Sequence, residues 1–224
     1  MKKYILVSEK PWHKELYIEL KQRKNELWEH INSQDDLNFD NLSLVKPDII
    51  FIPHWSYIIP EKIFSNFNCV VFHMTDLPFG RGGTPLQNLI VKGFDKTKIS
   101  ALKVTKGIDA GPIYLKSNLK LNGTAQDIFY RANKVIEKMI YKIIDSDLKP
   151  KPQSGNVVYF KRRTKEDGNL INIDNINTVY DYIRMLDGEG YPHAFLNSKN
   201  LNFKFYNAKL IDDKIEANVR ISKK

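Results

Sequence analysis

Two segments of the chain place polar side chains where a folded protein can do chemistry. The first is Val71–Pro78 (VFHMTDLP), in which His73 follows the apolar run Cys69–Phe72. The second is Lys106–Pro112 (KGIDAGP), in which Asp109 lies between glycines. An imidazole can donate a hydrogen bond and pass on a proton, and a carboxylate can orient it or accept a proton. Taken alone, each has an ordinary explanation, a core or cap histidine and a turn-forming aspartate.

The two segments together form a more specific pattern. Along the chain they read H-x-[ST]-x-L-P, then R-G-x-x-P, then a predicted helix, then G-x-D-x-G-P. This pattern resembles the 10-formyltetrahydrofolate-dependent formyltransferases, over roughly residues 45–145. The resemblance implies that His73 and Asp109 are catalytic, that an amine attacks the formyl carbon directly, and that no metal is needed. The matching residues are His73, Thr75, Leu77, Pro78, Arg81, Gly82, Pro85, Asp109, Gly111 and Pro112.

One position departs from the family pattern. The family's catalytic set begins Asn-x-His, and the asparagine position is Val71 in this chain. Loss of one donor to the oxyanion costs about 10²–10³ in rate. Asn68 lies three residues earlier, roughly 10 Å away along a strand, too far to replace it. A degenerate site that binds folate or a sugar nucleotide without turnover is therefore an alternative, and a formyltetrahydrofolate hydrolase, with water in place of the amine, is another.

The resemblance also implies where the folate binds. In the family, the pterin ring lies against backbone in the loop after the second of the buried strands and in the loop that carries the aspartate. An apolar wall with exposed peptide groups suits such a flat, polar-edged ring. The corresponding residues in this chain are Trp55, Tyr57, Ile58, Thr105, Lys106, Gly107 and Ile108.

Two stretches beyond residue 150 resemble the sugar N-formyltransferases. They are Tyr159–Gly168 (YFKRRTKEDG) and Ile183–Phe195, which opens IRML and closes YPHAF. The resemblance implies a UDP- or dTDP-linked amino sugar as acceptor, and hence a role in lipopolysaccharide or surface glycan biosynthesis. A sugar diphosphate needs cationic and hydroxyl partners, and its base needs an aromatic ring. The candidate substrate-binding residues are Ser8, Lys10, Trp12, Thr75 and Arg81.

The elements that must position these residues follow from hydrophobic patterning. Three apolar runs without alternation predict buried parallel strands, whose carboxyl ends gather functional groups: Tyr4–Val7, Ile49–Ile52 and Cys69–Phe72. We also expect a helix over 14–31, a helix with Thr84 as its N-cap and Pro85 in its first turn that runs to about Val91, and a helix over 124–145 with a capping-box variant at Thr124 and Asp127. Strands are predicted over 99–105 and 113–121.

The fold class predicted is α/β. A Rossmann-like formyltransferase domain with a mostly parallel sheet covers residues 1–150, and a small β-rich unit covers 151–224. Residues 147–156 (DLKPKPQSGN) are predicted to be a linker from their composition. In the β-rich unit, strands are predicted near 194–196, 201–206, 208–211 and 215–221, with one helix near 178–186.

Length and charge bear on the partner. The chain has 224 residues and a formal net charge of +9, spread evenly: residues 151–224 hold 13 basic and 9 acidic side chains, and residues 1–150 hold 22 and 17. The appendage is shorter than the C-terminal barrel of methionyl-tRNA formyltransferases. Together these facts predict a small-molecule partner rather than nucleic acid or a membrane. The resemblance to sugar N-formyltransferases also implies a homodimer. The single cysteine, together with an N-terminus that does not have the pattern of a signal peptide, predicts a cytoplasmic location.

Overall fold

The computed structural model describes residues 1–224, which divide into two compact units. The first unit comprises Met1–Gly82, Lys98–Leu119 and Tyr130–Tyr159, and the second comprises Gly83–Thr97, Lys120–Phe129 and Phe160–Lys224. Each unit is thus assembled from segments that are distant in sequence. A division into domains at residues 150 and 151 stays a prediction. None of the helices combines the length and apolarity that crossing a membrane requires.

Eleven strands and six helices follow one another along the chain. The strands are β1 (Lys2–Val7), β2 (Glu26–Ile31), β3 (Ile49–Ile52), β4 (Cys69–His73), β5 (Arg81–Gly82), β6 (Lys96–Lys103), β7 (Ile113–Lys120), β8 (Tyr159–Phe160), β9 (Ala194–Asn197), β10 (Leu201–Ile211) and β11 (Lys214–Lys223). The helices are α1 (Lys14–Lys21), α2 (Phe39–Val45), α3 (Glu61–Phe64), α4 (Pro85–Val91), α5 (Ala125–Asp145) and α6 (Ile176–Leu186).

The first unit is organised by a six-stranded sheet in the order β2-β1-β3-β4-β6-β7. Strands β1, β2, β3 and β4 pair in parallel, and β6 runs antiparallel to β4. The central strands β1, β3 and β4 are the predicted apolar runs. Their residues are apolar because both faces of these strands are covered, and Ile5, Ile50 and Val70 are fully buried. The predicted α/β class and mostly parallel sheet are confirmed.

The predicted helix over 14–31 is only half correct. The helix α1 ends at Lys21, Asn25 adopts a left-handed φ of 65°, and residues 26–31 form the edge strand β2. The leucine spacing that suggested one helix does not account for Trp28, which is 6% exposed and whose ring lies 5.0 Å from that of Tyr4 on β1. Pairing with β1 therefore overrides the local helical pattern. The short helices α2 and α3 were not predicted.

The second unit contains a three-stranded antiparallel sheet in the order β11-β10-β9, against which α6 packs. This confirms the predicted C-terminal β unit, although two predicted strands form the single strand β10 with an irregularity between Tyr206 and Lys209. The guanidinium of Arg184 on α6 is nearly buried and donates to the carbonyls of Leu121 and Gly123. Helix α6 and the turn before α5 are thereby joined by charge-assisted bonds.

Two predicted helix starts differ in outcome. The capping box of α5 is confirmed, because Thr124 N–H donates to Asp127 Oδ2 at 2.9 Å and Asp127 N–H donates to Thr124 Oγ1 at 3.2 Å. Helix α4 does begin at Pro85 as predicted, but Thr84 does not cap it with its side chain. Instead Thr84 has a φ of 47°, and its hydroxyl accepts from Arg163 N–H at 2.9 Å.

We expect Asp127→Ala to lower the free energy of unfolding by about 1 kcal/mol, because it removes the acceptor of the Thr124 N–H and hydroxyl at the start of α5. Urea unfolding followed by circular dichroism measures this. The matched control is Lys138→Ala, an exposed position on the same helix, which should change stability by less than about 0.5 kcal/mol. Equal stabilities of the two variants would contradict the role of the box.

Candidate active site

His73 is the last residue of β4 and lies at the carboxyl edge of the sheet. Its side chain is 8% exposed, and its Nε2 atom lies 2.7 Å from the carbonyl oxygen of Gly80. A carbonyl oxygen can only accept, so Nε2 carries a hydrogen and donates it. The other ring nitrogen, Nδ1, faces Asp109 Oδ2 at 3.5 Å. The structure therefore brings the two predicted catalytic side chains together.

Asp109 reaches this position from a tightly constrained loop. Its φ is 49°, in the left-handed region, and its Oδ2 atom accepts a hydrogen bond from Gly82 N–H at 2.9 Å. Gly111 cannot be replaced without moving the loop, because a Cβ there would lie 1.8 Å from the carbonyl oxygen of Lys103. Close backbone approach, rather than a turn, explains this glycine.

The geometry of the pair sets what it can do chemically. A proton released beside Nδ1 can be held between the imidazole and the carboxylate, with Gly82 N–H steadying the carboxylate. The Nε2 hydrogen is engaged by Gly80, so in this conformation it is not aimed at a substrate oxygen. The pair is thus placed to accept a proton from an attacking amine.

Val71 occupies the position of the family's asparagine, two residues before His73 and on the same face of β4. Its side chain is partly buried and packs on a buried apolar cluster that includes Ile52, together with Trp55 and Val104. Asn68 is engaged elsewhere, since its Oδ1 accepts from the Tyr114 hydroxyl at 3.0 Å. An apolar wall therefore stands where the family pattern has an amide donor.

Arg81 was predicted to bind phosphate, but the structure gives it a different partner. Its Nη2 and Nε atoms donate to Gln153 Oε1 at 2.8 and 3.3 Å. The Gln153 amide in turn donates to the carbonyls of Asp109 and Gly111, both at 2.8 Å. Sequence reasoning missed Gln153, because it lies in the predicted linker and no spacing pattern connects it with Asp109.

Thr75 was predicted to bind substrate, and the structure places it fully buried under the loop after β4. Its hydroxyl lies 3.4 Å from the carbonyl of Gly80, and its own carbonyl accepts from the Ser100 hydroxyl at 2.7 Å. These bonds support the loop that holds His73. They leave Thr75 no surface toward a substrate.

The predicted folate residues lie on two loops of the first unit. Trp55 and Val104 pack on the same apolar cluster as Val71. Val104 lies at the start of the loop that continues through Thr105, Lys106 and Gly107. Loop tips are open: Ile58 is 88% exposed and Ile108 is 66% exposed, while Tyr57 meets the Trp55 ring at 5.3 Å. The structure thus gives both loops a shared apolar base, and their role in folate binding stays a prediction.

The residues predicted at the end of β1 are mostly internal. Ser8 is 1% exposed with its hydroxyl 2.5 Å from His13 Nδ1, and Trp12 is 3% exposed with its ring edge-on to His13 and His54. The Trp12 ring therefore offers no open face to a nucleotide base. Lys10 forms an ion pair with its neighbour Glu9 at 3.0 Å. The structure does not gather these three residues into an open diphosphate site, and a substrate-binding role for them stays a prediction.

Burial shifts the pKa of two histidines in this cluster. Desolvation lowers the pKa of His13 well below its ordinary value of 6.5, and it lowers the pKa of His54 to about 4. Both rings are therefore neutral at pH 7 and act as packing groups rather than as acids or bases.

The fold and the His73–Asp109 pair define a class, and comparison with known proteins agrees. Residues 8–143 match the family described as formyl transferase, and residues 165–222 match the C-terminal domain of methionyl-tRNA formyltransferase. The first match covers more than half of the chain, which therefore belongs to the formyl transferase family. The predicted membership of a formyltransferase family is confirmed.

Methionyl-tRNA formyltransferases are among the proteins similar to this chain. A methionyl-tRNA formyltransferase from Kosmotoga olearia is 29% identical over 184 residues, which is 78% of this chain and 58% of that protein. The structure titled methionyl-tRNA formyltransferase from Clostridium thermocellum is 44% identical, with a TM-score of 0.98 over 100% of both chains. HypX from Aquifex aeolicus in complex with tetrahydrofolic acid shares the fold, with a TM-score of 0.75 over 92% of this chain and 37% of that one, at 20% identity.

Three predictions are therefore wrong. A sugar-nucleotide acceptor and a surface-glycan role are not supported, because the curated relatives are methionyl-tRNA formyltransferases. A sugar N-formyltransferase from Shewanella is only 14% identical, with a TM-score of 0.66 over 89% of this chain and 94% of that one, a likeness of fold alone. The prediction that the protein has no nucleic-acid partner is wrong for the same reason. The length argument misled because the chain spans less than two thirds of the Kosmotoga protein and still matches its C-terminal family.

We expect the stability of the protein to fall as pH drops from 6.5 to 4. The unfolded chain binds a proton at His54 in this window, while the folded state, with a pKa of about 4, does not. His54 contributes about 3 kcal/mol of this loss, at about 1.4 kcal/mol per pKa unit, and His13, whose pKa is also lowered, adds to it. Urea unfolding at several pH values measures the slope.

In His54→Gln the slope should become shallower, whereas Gln34→Ala, at an exposed position of the first unit, should keep the wild-type slope. A wild-type slope in His54→Gln would show that other groups cause the acid sensitivity.

Proposed function

We propose that this protein transfers the formyl group of 10-formyltetrahydrofolate to the amino group of methionyl-tRNA. The observation that carries the proposal is the order of two segments in one chain: a formyl transferase segment with the His73–Asp109 pair, followed by a segment similar to the C-terminal domain of methionyl-tRNA formyltransferase. Methionyl-tRNA formyltransferases are also the relatives with substantial identity. The first segment supports the chemistry, and the second supports the acceptor.

The chemistry is a displacement at the formyl carbon. The neutral amine nitrogen attacks that carbon, the new N–C bond forms, and the bond from the formyl carbon to the folate N10 breaks. The amine loses one proton, and the leaving N10 gains one. In this protein His73 Nδ1 and Asp109 Oδ2, 3.5 Å apart, are placed to take the first proton and return the second.

The basic character of the chain supports a polyanionic acceptor. A net charge of +9 raises the local concentration of tRNA and speeds its encounter with the protein. Exposed Lys161 and Arg162 in the second unit are available for phosphate contacts. Such binding weakens steeply with added salt because counterions are released from the nucleic acid. The predicted cytoplasmic location is part of this proposal, since charged tRNA is used there.

We expect His73→Asn and Asp109→Asn each to lower kcat by about 10²–10⁴, because each removes one member of the proton-holding pair. The assay combines the full chain with 10-formyltetrahydrofolate and methionyl-tRNA and measures formylmethionyl-tRNA. The matched control is Asp174→Asn, an exposed aspartate of the second unit, which should keep wild-type activity. Absence of product with wild-type protein, or tetrahydrofolate release that does not need methionyl-tRNA, would overturn the proposal.

We expect Val71→Asn to raise kcat, by up to about 10², because it restores an amide donor where the oxyanion forms. Val71→Leu is the control, since leucine has nearly the size of asparagine but no donor. It should leave kcat unchanged or lower it. If Val71→Asn is no faster than Val71→Leu, another group already supplies the donor.

A further inference from the structure

Residues 151–158, which we call the strap, have the composition of a linker but do not behave as one. At one end Lys151 and Ile113 exchange backbone bonds of 2.7 and 2.8 Å. At the other end the carbonyl of Val158 accepts from Gly80 N–H and Arg81 N–H, both at 2.9 Å. Both ends are thus fixed to the first unit, one beside the loop of Asp109 and the other beside the loop of His73.

Between these ends, Gln153 joins the same two loops through its side chain. Its two amide hydrogens go to the carbonyls of Asp109 and Gly111, and its oxygen accepts from Arg81. An amide is suited to this task because it donates on one side and accepts on the other. The glutamine therefore spans the gap between the two loops.

The strap contacts the elements that set the geometry of the catalytic pair. The carbonyl of Gly80 holds His73 Nε2, and Gly82 N–H holds Asp109 Oδ2. Arg81 lies between these two glycines and is bound to Gln153, which also holds the backbone of Asp109. The 3.5 Å separation of His73 Nδ1 and Asp109 Oδ2 thus depends on the register of two loops that the strap ties together.

We propose that the strap is a positioning element for the reaction, with Gln153 and Arg81 as positioning residues that act through Asp109. This inference rests on the proposed formyl transfer for its kinetic consequences. It assigns Arg81 to the loop and not to a phosphate, since its guanidinium is engaged by Gln153. Misplacement of a reacting group by about 1 Å costs about 10²-fold in rate.

Gln153→Glu separates the two halves of the contact. Glutamate keeps the shape and the acceptor for Arg81, but a carboxylate cannot donate to the carbonyls of Asp109 and Gly111. We expect kcat to fall about 10- to 100-fold in this variant and in Gln153→Ala, with KM for methionyl-tRNA changed by less than about twofold. Gln34→Glu, an exposed glutamine of the first unit, is the matched control and should leave both constants unchanged.

Two further measurements distinguish positioning from a general loss of structure. Thermal unfolding should show that Gln153→Glu remains folded at the assay temperature. In the Asp109→Asn background, Gln153→Glu should cause no further loss of kcat, because residues that act through one group are non-additive. Wild-type kcat in Gln153→Glu, or an additive loss in the double variant, would overturn the inference.

A spectroscopic arm tests the strap independently of the acceptor. The imidazole ¹⁵N chemical shifts of His73 report its hydrogen bonds, and we expect them to differ from wild type in Gln153→Glu but not in Gln34→Glu. Identical His73 shifts in all three proteins would overturn the strap as a positioning element. If the wild type does not formylate methionyl-tRNA while the His73 shifts do change, the proposed function fails and the positioning of the pair stands.

Discussion

The contact of His73 with Asp109 is the constraint on which the first unit's functional edge depends. The imidazole is fixed by the end of β4, where His73 pairs with Ser100 on β6, and by the carbonyl of Gly80. The carboxylate comes from a loop that requires a left-handed residue at 109 and a glycine at 111. A displacement of either loop by the width of an atom breaks their contact. The glycines, the buried Thr75 and the strap all help to hold His73 Nδ1 and Asp109 Oδ2 at 3.5 Å from each other.

The sequence predicts those features that are repeated along a strand or helix. The apolar runs of β1, β3 and β4 are visible because a covered parallel strand needs apolar residues at every position. Trp28 belongs to an edge strand whose pairing with β1 has no local signature, so the leucine spacing around it predicts a helix instead. Gln153 is an extreme case, because its three partners lie 42 to 72 residues away and a glutamine after a proline carries no signal of its own.

The acceptor was misjudged for a related reason. The motifs that suggested a sugar are two short stretches within residues 159–195, and the second of them runs from the end of α6 to the start of β9. Residues 165–222 match the C-terminal domain of methionyl-tRNA formyltransferase as a whole, a comparison that short motifs cannot make. The even spread of charge predicts an ordinary solvated, lysine-rich surface and a small-molecule partner. A partner as large as tRNA touches much of a protein, so an even spread does not argue against it.

Val71 makes the positioning of the remaining groups more demanding. Where the family pattern has an amide, this protein presents an apolar side chain that packs with Val104 and Trp55. An apolar wall lowers the local dielectric, so each interaction of His73 and Asp109 with a reacting group is stronger than in water. Fewer hydrogen-bond donors then stabilise the charge that develops in the reaction, so each of them must be positioned more accurately. A site with one polar group fewer therefore depends more on elements such as the strap, which hold the other groups in place.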